Sequence, residues 1–282
     1  MWGSRARNSL LPMIRRIPFT EPHTVQRMSV FFLDDGAANA FPPAGLADAN
    51  GLLAVGGDLC VERLLAAYRA GIFPWYAKGD PILWWSPDPR LVLFPGDLRI
   101  SRRLGRVLRK KTFQVTMDTA FEQVVRACAS APRRSGPGTW IVDEMIDAYC
   151  RLHRAGYAHS VEAWQEGELA GGLYGVSLGR CFFGESMFTR ISNASKAALV
   201  RLVQFLSDRG LDMIDCQMTT AHMVRFGAVE MRRDAFLKRL SAALTAPTLT
   251  GNWRLEAVGP GFHNVLASRT DRAATYSHQG EI

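Results

Sequence analysis

A chain of 282 residues, 48% of them hydrophobic and with a mean hydropathy of −0.03, is long enough to bury one large core or two unequal ones. No window approaches the ~20 uninterrupted apolar residues of a membrane span, so the composition predicts a soluble globular protein without a membrane partner. The net charge of +8 is concentrated in two places, residues 1–27 (five arginines against Glu21) and residues 99–111 (seven cations and no acid), and the remainder is net negative. Basicity this local implies a polyanionic partner, with a solvated helix face as the plainer alternative.

Residues 1–27 are Arg-rich but lack the apolar run of a secretory signal, and they read as a disordered extension or a mis-assigned start. The five cysteines form no C-x-x-C pair, which fits reduced thiols in a cytoplasm and argues against zinc or a disulfide framework. The six histidines show no metal spacing, and His222 reads as structural.

In chain order, residues 41–51 are a loop dense in Pro, Gly and Asn. Asp58 is placed to cap a helix with Val61, Leu64, Leu65 and Tyr68 on one face, stopped at Gly71. Residues 71–90 hold four prolines and three tryptophans and predict an aromatic loop or a set of short strands. A boundary near Asp88 divides a small N-terminal domain, 28–88, from a larger one, 89–245. The basic run places Arg102, Arg106 and Arg109 or Lys110 on one helix face. Helices are predicted around 118–130 and 143–155. The period then changes to two, and 159–164, 169–176 and 181–188 read as an antiparallel meander. A helix over 193–209, a strand over 213–217, a short helix over 218–225 and a last helix over 234–244 follow, with an irregular, mobile tail at 246–282. This is the element order of an acetyltransferase-like (GNAT-like) α/β, or α+β, core. Fold alone does not settle the substrate.

Asp215 and Gln217, two apart on one strand, face the same side. They read either as a capping network at a strand end or as a reacting pair. Glu185, among three phenylalanines and a methionine, needs a cation or donor, supplied by an arginine such as Arg190 or by a cationic substrate. The turn before the 193–209 helix, Arg190-Ile191-Ser192-Asn193-Ala194-Ser195-Lys196, lacks the glycines that cradle a coenzyme A pyrophosphate, so the acyl donor is expected to be something else. Aromatics beside a basic face suit a single-stranded nucleic-acid end, although most tryptophans belong in a core.

Nine stretches then carry a resemblance: NGLLAVGGDL (50–59), YRAGIFPWY (68–76), DPILWWSPDPR (80–90), GTWI (138–141), HSVEAW (159–164), GGLYGV (171–176), GESMFTR (184–190), NASKAAL (193–199) and IDCQ (214–217). From about Phe41 to about Leu240 the sequence resembles the leucyl/phenylalanyl-tRNA–protein transferase family. The resemblance implies a cofactor-free enzyme moving Leu, Phe or Met from tRNA to proteins that begin with Arg or Lys, marking them for N-end rule degradation. It implies Asp215 and Gln217 as the catalytic pair, with Glu185 beside them to meet the acceptor's cation. Leu173, Phe182, Met187, Leu202 and Ile214 would line the amino-acid pocket, and Tyr68, Trp75, Trp140 and Tyr149 would surround the terminal adenosine. Arg102, Arg103, Arg106, Arg109, Lys110 and Lys111 are expected to hold the tRNA backbone. A cytoplasmic monomer without bound metal is expected. The sequence departs from the family's pattern at Leu173 and Leu202, where members carry Met and Phe, and at Thr220, where Asn is usual. Gln217, polarised by Asp215, or the donor's ribose hydroxyl would draw off the amine's proton. A small-molecule N-acetyltransferase and a non-catalytic RNA-binding protein are the rival classes.

Overall fold

The computed structural model describes residues 14–19, 28–34, 36, 40–131 and 141–255. Its elements form two sheets. The first runs β1 (Ile14–Phe19), β2 (Met28–Leu33), β3 (Leu52–Gly56), β5 (Leu83–Trp85), β4 (Phe73–Pro74) in spatial order. Between β3 and β4 lies α1 (Val61–Arg69). Part of the stretch read as an extension, 14–19, is a strand paired antiparallel along the whole of β2. The rest of 1–27 lies outside the described residues. Cys60, not Asp58, caps α1: its Sγ accepts from the Arg63 N–H, while Asp58 accepts from Cys60 N–H and from the Arg63 guanidinium.

The second sheet has seven strands in the order β12 (Val229–Met231), β6 (Arg90–Leu93), β11 (Met213–Asp215), β10 (Cys181–Thr189), β9 (Glu168–Leu178), β8 (Ala158–Gln165), β7 (Gln114–Met117). Its core is the meander β8–β9–β10, joined by short turns as the alternating pattern requires, with β11 added parallel to β10. Sheet membership changes between Trp85 and Arg90. The chain is therefore a mixed α/β protein.

Both faces of the larger sheet are covered, so alternate residues of β9 and β10 enter different cores. Tyr174 and Phe183 join a cluster with α1, α3 (Phe121–Ser130), α4 (Asp143–Arg154) and α7 (Arg233–Ala243). Leu173 and Phe182 join another with α2 (Arg102–Arg109) and α5 (Ala194–Asp208). Glycine is required where the strands approach closely: a Cβ on Gly175 would stand 2.6 Å from the Phe182 ring and would strike the Phe183 carbonyl. The first cluster also takes Leu53, Leu64 and Trp84, so the small N-terminal part buries its apolar surface against the larger sheet.

Residues 246–255, the described part of the stretch read as a tail, pack against the second core. Trp253 is 3% exposed, its ring stacks on His159 at 3.7 Å, and its backbone N–H donates to Asp118. The segment is irregular because it follows no helical or strand period, yet it closes the second core behind Phe182. Residues 256–282 lie outside the described residues.

One ion pair ties the central strands together. Arg90 on β6 donates from Nε (2.9 Å) and an η nitrogen (2.7 Å) to the two oxygens of Asp215 on β11, and both side chains are at most 1% exposed. Phe73 and Phe236 flank the guanidinium at 4.8 and 4.7 Å. Removing one partner of such a pair leaves an uncompensated buried charge. Asp215→Asn is therefore expected to lower the unfolding free energy by about 3–5 kcal/mol, whereas Arg90→Met combined with Asp215→Leu recovers most of that loss in urea denaturation.

Candidate active site

Strand β10 is interrupted where the chemistry sits. Gly184 pairs with Gly175 and Ser186 with Tyr174, so Glu185 is the extra residue of a β-bulge. The bulge resets the alternation. Phe182 and Met187, five apart and thus on opposite faces of a regular strand, both face one cavity, while Glu185 stands at the cavity's edge. Pairing between β10 and β11 stops at Phe183 and Asp215, and the two chains part beyond it.

A cavity of about 440 Å³ opens in that gap. All five residues assigned to the amino-acid pocket (Leu173, Phe182, Met187, Leu202 and Ile214) lie in its wall, with Leu199 and Met223 completing the apolar lining. The polar groups in the wall include Glu185, Ser195, Thr220 and His222. Burial, and then the nearby Lys196 and Arg225, hold the His222 imidazole below its ordinary value, so it is a neutral lining group near pH 7.

Strand β11 ends at Asp215, so Gln217 is not the strand residue the sequence suggested. Its backbone is left-handed, with φ of +61°, a conformation costly for a residue with a side chain. That conformation is held by a hydrogen bond: the Gln217 N–H donates 2.8 Å to Asp215 Oδ1. Both Asp215 oxygens are thus committed, to Arg90 and to this amide. Asp215 does not contact the Gln217 side chain, which corrects the expected polarisation of that amide. Instead Gln217 Nε2 donates 2.8 Å to Glu185 Oε1, which leaves the amide oxygen free of that bond.

Glu185 is only 8% exposed. Its partners are not Arg190, which donates to Leu169 O and lies over Phe188. They are Tyr68 of α1, 2.8 Å from Oε1, and Tyr149 of α4, 2.6 Å from Oε2. Burial pushes the Glu185 carboxyl up to about 7 against the hydrogen bonds from Tyr149, Tyr68 and Gln217, which favour the ion. Burial and the adjacent Glu185 push both phenols well above their ordinary range.

Of the four aromatics assigned to the adenosine, Tyr68 and Tyr149 are at most 1% exposed, with rings packed on Phe183 and Tyr174, so neither offers a free face for stacking in this conformation. Trp75 is half-buried, edge-on to Trp85, and retains accessible surface. Trp140 lies outside the described residues.

The basic run is separate from this cavity. Ser101 caps α2, and Arg102, Arg106 and Arg109 line a shallow depression around its first turns, as their spacing predicts. Arg103 is exposed on the same helix, while Lys110 and Lys111 end it, Lys111 with φ of +51°. Among the described residues no group of His, Cys, Asp or Glu could hold a metal ion, and no helix is long and apolar enough to cross a membrane.

Arg90 is the site residue the sequence analysis did not single out. The available signal was an arginine opening the apolar strand Arg90-Leu91-Val92-Leu93, where a charge demands a buried partner.

Comparison with known proteins agrees across the chain. Residues 92–241 match the family model described as leucyl/phenylalanyl-tRNA protein transferase, and residues 57–88 match that of its N-terminal domain. A leucyl/phenylalanyl-tRNA–protein transferase of Desulfatibacillum aliphaticivorans is 59% identical over 82% of this chain and 98% of its own length. That of Solidesulfovibrio magneticus is 58% identical over 81% and 92%, respectively. Among solved structures, L-PGS from Bacillus licheniformis overlaps 60% of this chain and 53% of its own, at 11% identity and a TM-score of 0.33. On the two family models and relatives that it covers almost end to end, the chain belongs to the leucyl/phenylalanyl-tRNA–protein transferase family.

Proposed function

We propose that this enzyme transfers Leu, Phe or Met from its tRNA ester to the α-amine of proteins beginning with Arg or Lys, and that the product is marked for N-end rule degradation. The observation that carries the reading is a shared carboxyl: Glu185 lies in the wall of an apolar slot of about 440 Å³ and accepts a hydrogen bond from the Gln217 amide. An apolar side chain unbranched at Cβ fits the slot, and a cationic N-terminus meets its acidic end. The meander, α5, the parallel β11, α6 (Ala221–Arg225) and β12 follow the order of a GNAT-like acyltransferase core, which supports an acyl transfer onto an amine.

The reaction is aminolysis of an ester that arrives activated, so alignment is the main demand, and well-oriented reactants gain up to ~7–11 kcal/mol. Gln217 has its Nε2 committed to Glu185, and its carbonyl oxygen is the acceptor offered to the incoming amine. Asp215 acts through position, holding Gln217 by its backbone while Arg90 neutralises the carboxylate. The ribose hydroxyl of the donor serves equally as a route for the amine's proton. Leu173, Phe182, Met187, Leu202 and Ile214 set donor preference by shape, worth ~1–3 kcal/mol per methylene. Leu202 leaves more room than Phe would, which favours the larger donors, while Leu173 has about the volume of Met.

The phosphate backbone of the acceptor stem lies against Arg102, Arg103, Arg106, Arg109, Lys110 and Lys111. Trp75 has the exposure to meet the terminal base, and Trp140 is kept as its second wall from the resemblance. Residues 28–88 act as the small N-terminal domain and 89–245 as the catalytic one.

Mixing labelled Phe-tRNA with an Arg-starting peptide is expected to give labelled peptide. Bound tRNA without product would identify a non-catalytic RNA-binding protein, and tight coenzyme A binding would favour an N-acetyltransferase. Glu185→Gln is expected to raise the acceptor's KM by about tenfold or more with little change in that of the donor, because one charge-assisted hydrogen bond is worth ~1.5–3 kcal/mol. The logarithm of tRNA affinity is expected to fall linearly with that of salt concentration between ~50 and 200 mM. Arg106→Ala should reduce the slope by about 1, and an affinity indifferent to salt would remove α2 from this role.

A further inference from the structure

Three oxygen–oxygen contacts close a ring at the buried end of Glu185. The Tyr68 and Tyr149 hydroxyls are 2.6 Å apart, Tyr68 is 2.8 Å from Oε1, and Tyr149 is 2.6 Å from Oε2. Each contact is of hydrogen-bond length and requires one proton. Two neutral phenols supply two. With Glu185 ionised, both hydroxyls point at the carboxylate, and the Tyr68–Tyr149 contact becomes lone pair against lone pair in a dry site. With Glu185 protonated on Oε2, all protons are placed: Glu185 donates to Tyr149, Tyr149 to Tyr68, and Tyr68 back to Oε1, which also accepts from Gln217 Nε2.

We propose that before an acceptor binds, Glu185 carries its proton in a closed ring with Tyr68 and Tyr149, and that an entering acceptor cation expels that proton to solvent. The second half rests on the reading of Glu185 as the acceptor's anionic partner; the first half does not. Binding breaks the carboxyl O–H bond, the proton goes to buffer, and the two phenols turn onto the new carboxylate. Tyr68 and Tyr149 are accordingly positioning residues for the acceptor end of the site.

The other charged or titratable groups around the ring do not supply the missing proton or a competing charge. Asp215 of β11 is neutralised by Arg90 of β6. Tyr174 of β9 meets Tyr149 edge-on, through its ring. The Cys216 thiol is pushed up by burial, and His222 of α6, across the cavity, is held neutral. Burial of Glu185 favours the protonated form, and the phenol donors bring its ionisation back within reach near neutrality.

Infrared spectroscopy and calorimetry on the whole protein test both halves. The free enzyme should show a protonated-carboxyl C=O band at about pH 6 that titrates away through about 7 and is missing from Glu185→Gln. Its absence overturns the ring, whether or not peptide binds. Titrating an Arg-starting peptide in two buffers of different ionisation enthalpy should release about one proton per peptide near pH 6 and almost none well above 7. Binding with no proton release while the band persists overturns the coupling. Equal binding by Glu185→Gln overturns the acceptor reading and leaves the ring to the spectrum.

Tyr149→Phe removes a donor to the carboxylate, so the midpoint of acceptor kcat/KM against pH should rise by about one unit with the KM for aminoacyl-tRNA unchanged. A merely structural loss lowers activity evenly at every pH. A raised donor KM with an unmoved midpoint returns Tyr149 to the adenosine and ends its role here.

Discussion

Arg90 and Asp215 bury a full ion pair at the junction of β6 and β11, and the site is built outward from it. The pair costs desolvation that two hydrogen bonds and the flanking faces of Phe73 and Phe236 offset. What it gains is direction. Asp215 Oδ1 has a lone pair left after Arg90, and the Gln217 N–H takes it, pulling the chain into a left-handed turn two residues past the strand. The Gln217 carbonyl, which accepts from the Leu91 N–H, ties the same turn to β6. A buried charge pair is thus converted into the placement of a neutral amide against the Glu185 carboxyl.

The bulge at Glu185 does the same for the other strand. A regular β10 would put Phe182 and Met187 on opposite faces, dividing the slot between two cores. One unpaired residue brings both into the cavity wall and sends Glu185 toward α1 and α4. The apolar wall and the tyrosine contacts of Glu185 therefore belong to opposite faces of one sheet, and they meet where the pairing of β10 with β11 ends. Because α1 comes from the N-terminal part of the chain, that part contributes Tyr68 directly to the site as well as covering the core.

Much of this was legible in the sequence where a period existed to be read. The meander showed as alternation broken by short polar turns, α5 as the Leu199, Leu202, Val203 and Leu206 stripe, and the basic face of α2 as cations three and four apart. The bulge could not be read, since one extra residue changes no composition and only Gly184 hints at it. Gln217 looked like a strand residue because Asp215-Cys216-Gln217 alternates correctly, although the pairing that defines a strand is tertiary. Trp253 was lost in an irregular segment for the same reason: its partners, His159 and Asp118, are about a hundred residues away. The tyrosines were assigned to the adenosine by the resemblance. Their hydroxyls face inward because a buried carboxyl needs donors, which residue type alone does not convey.

The groups within the cavity favour direct transfer over a covalent relay. A relay needs a nucleophile with a lowered proton affinity or a base at hydrogen-bond distance. Burial pushes the Cys216 thiol up, away from the reactive thiolate, with the neighbouring Asp215 acting in the same direction. Ser186 and Ser195 lie in the wall, yet among the described residues neither is hydrogen-bonded to His222, whose Nε2 has no partner there. What the wall does offer is a carboxyl and a fitted apolar surface, with the Gln217 amide bonded to that carboxyl. Those suffice when the donor is an ester with a good leaving group and the nucleophile is an amine, and they would fail for an unactivated acid. The chemistry that this wall permits is therefore set by the energy already stored in the donor.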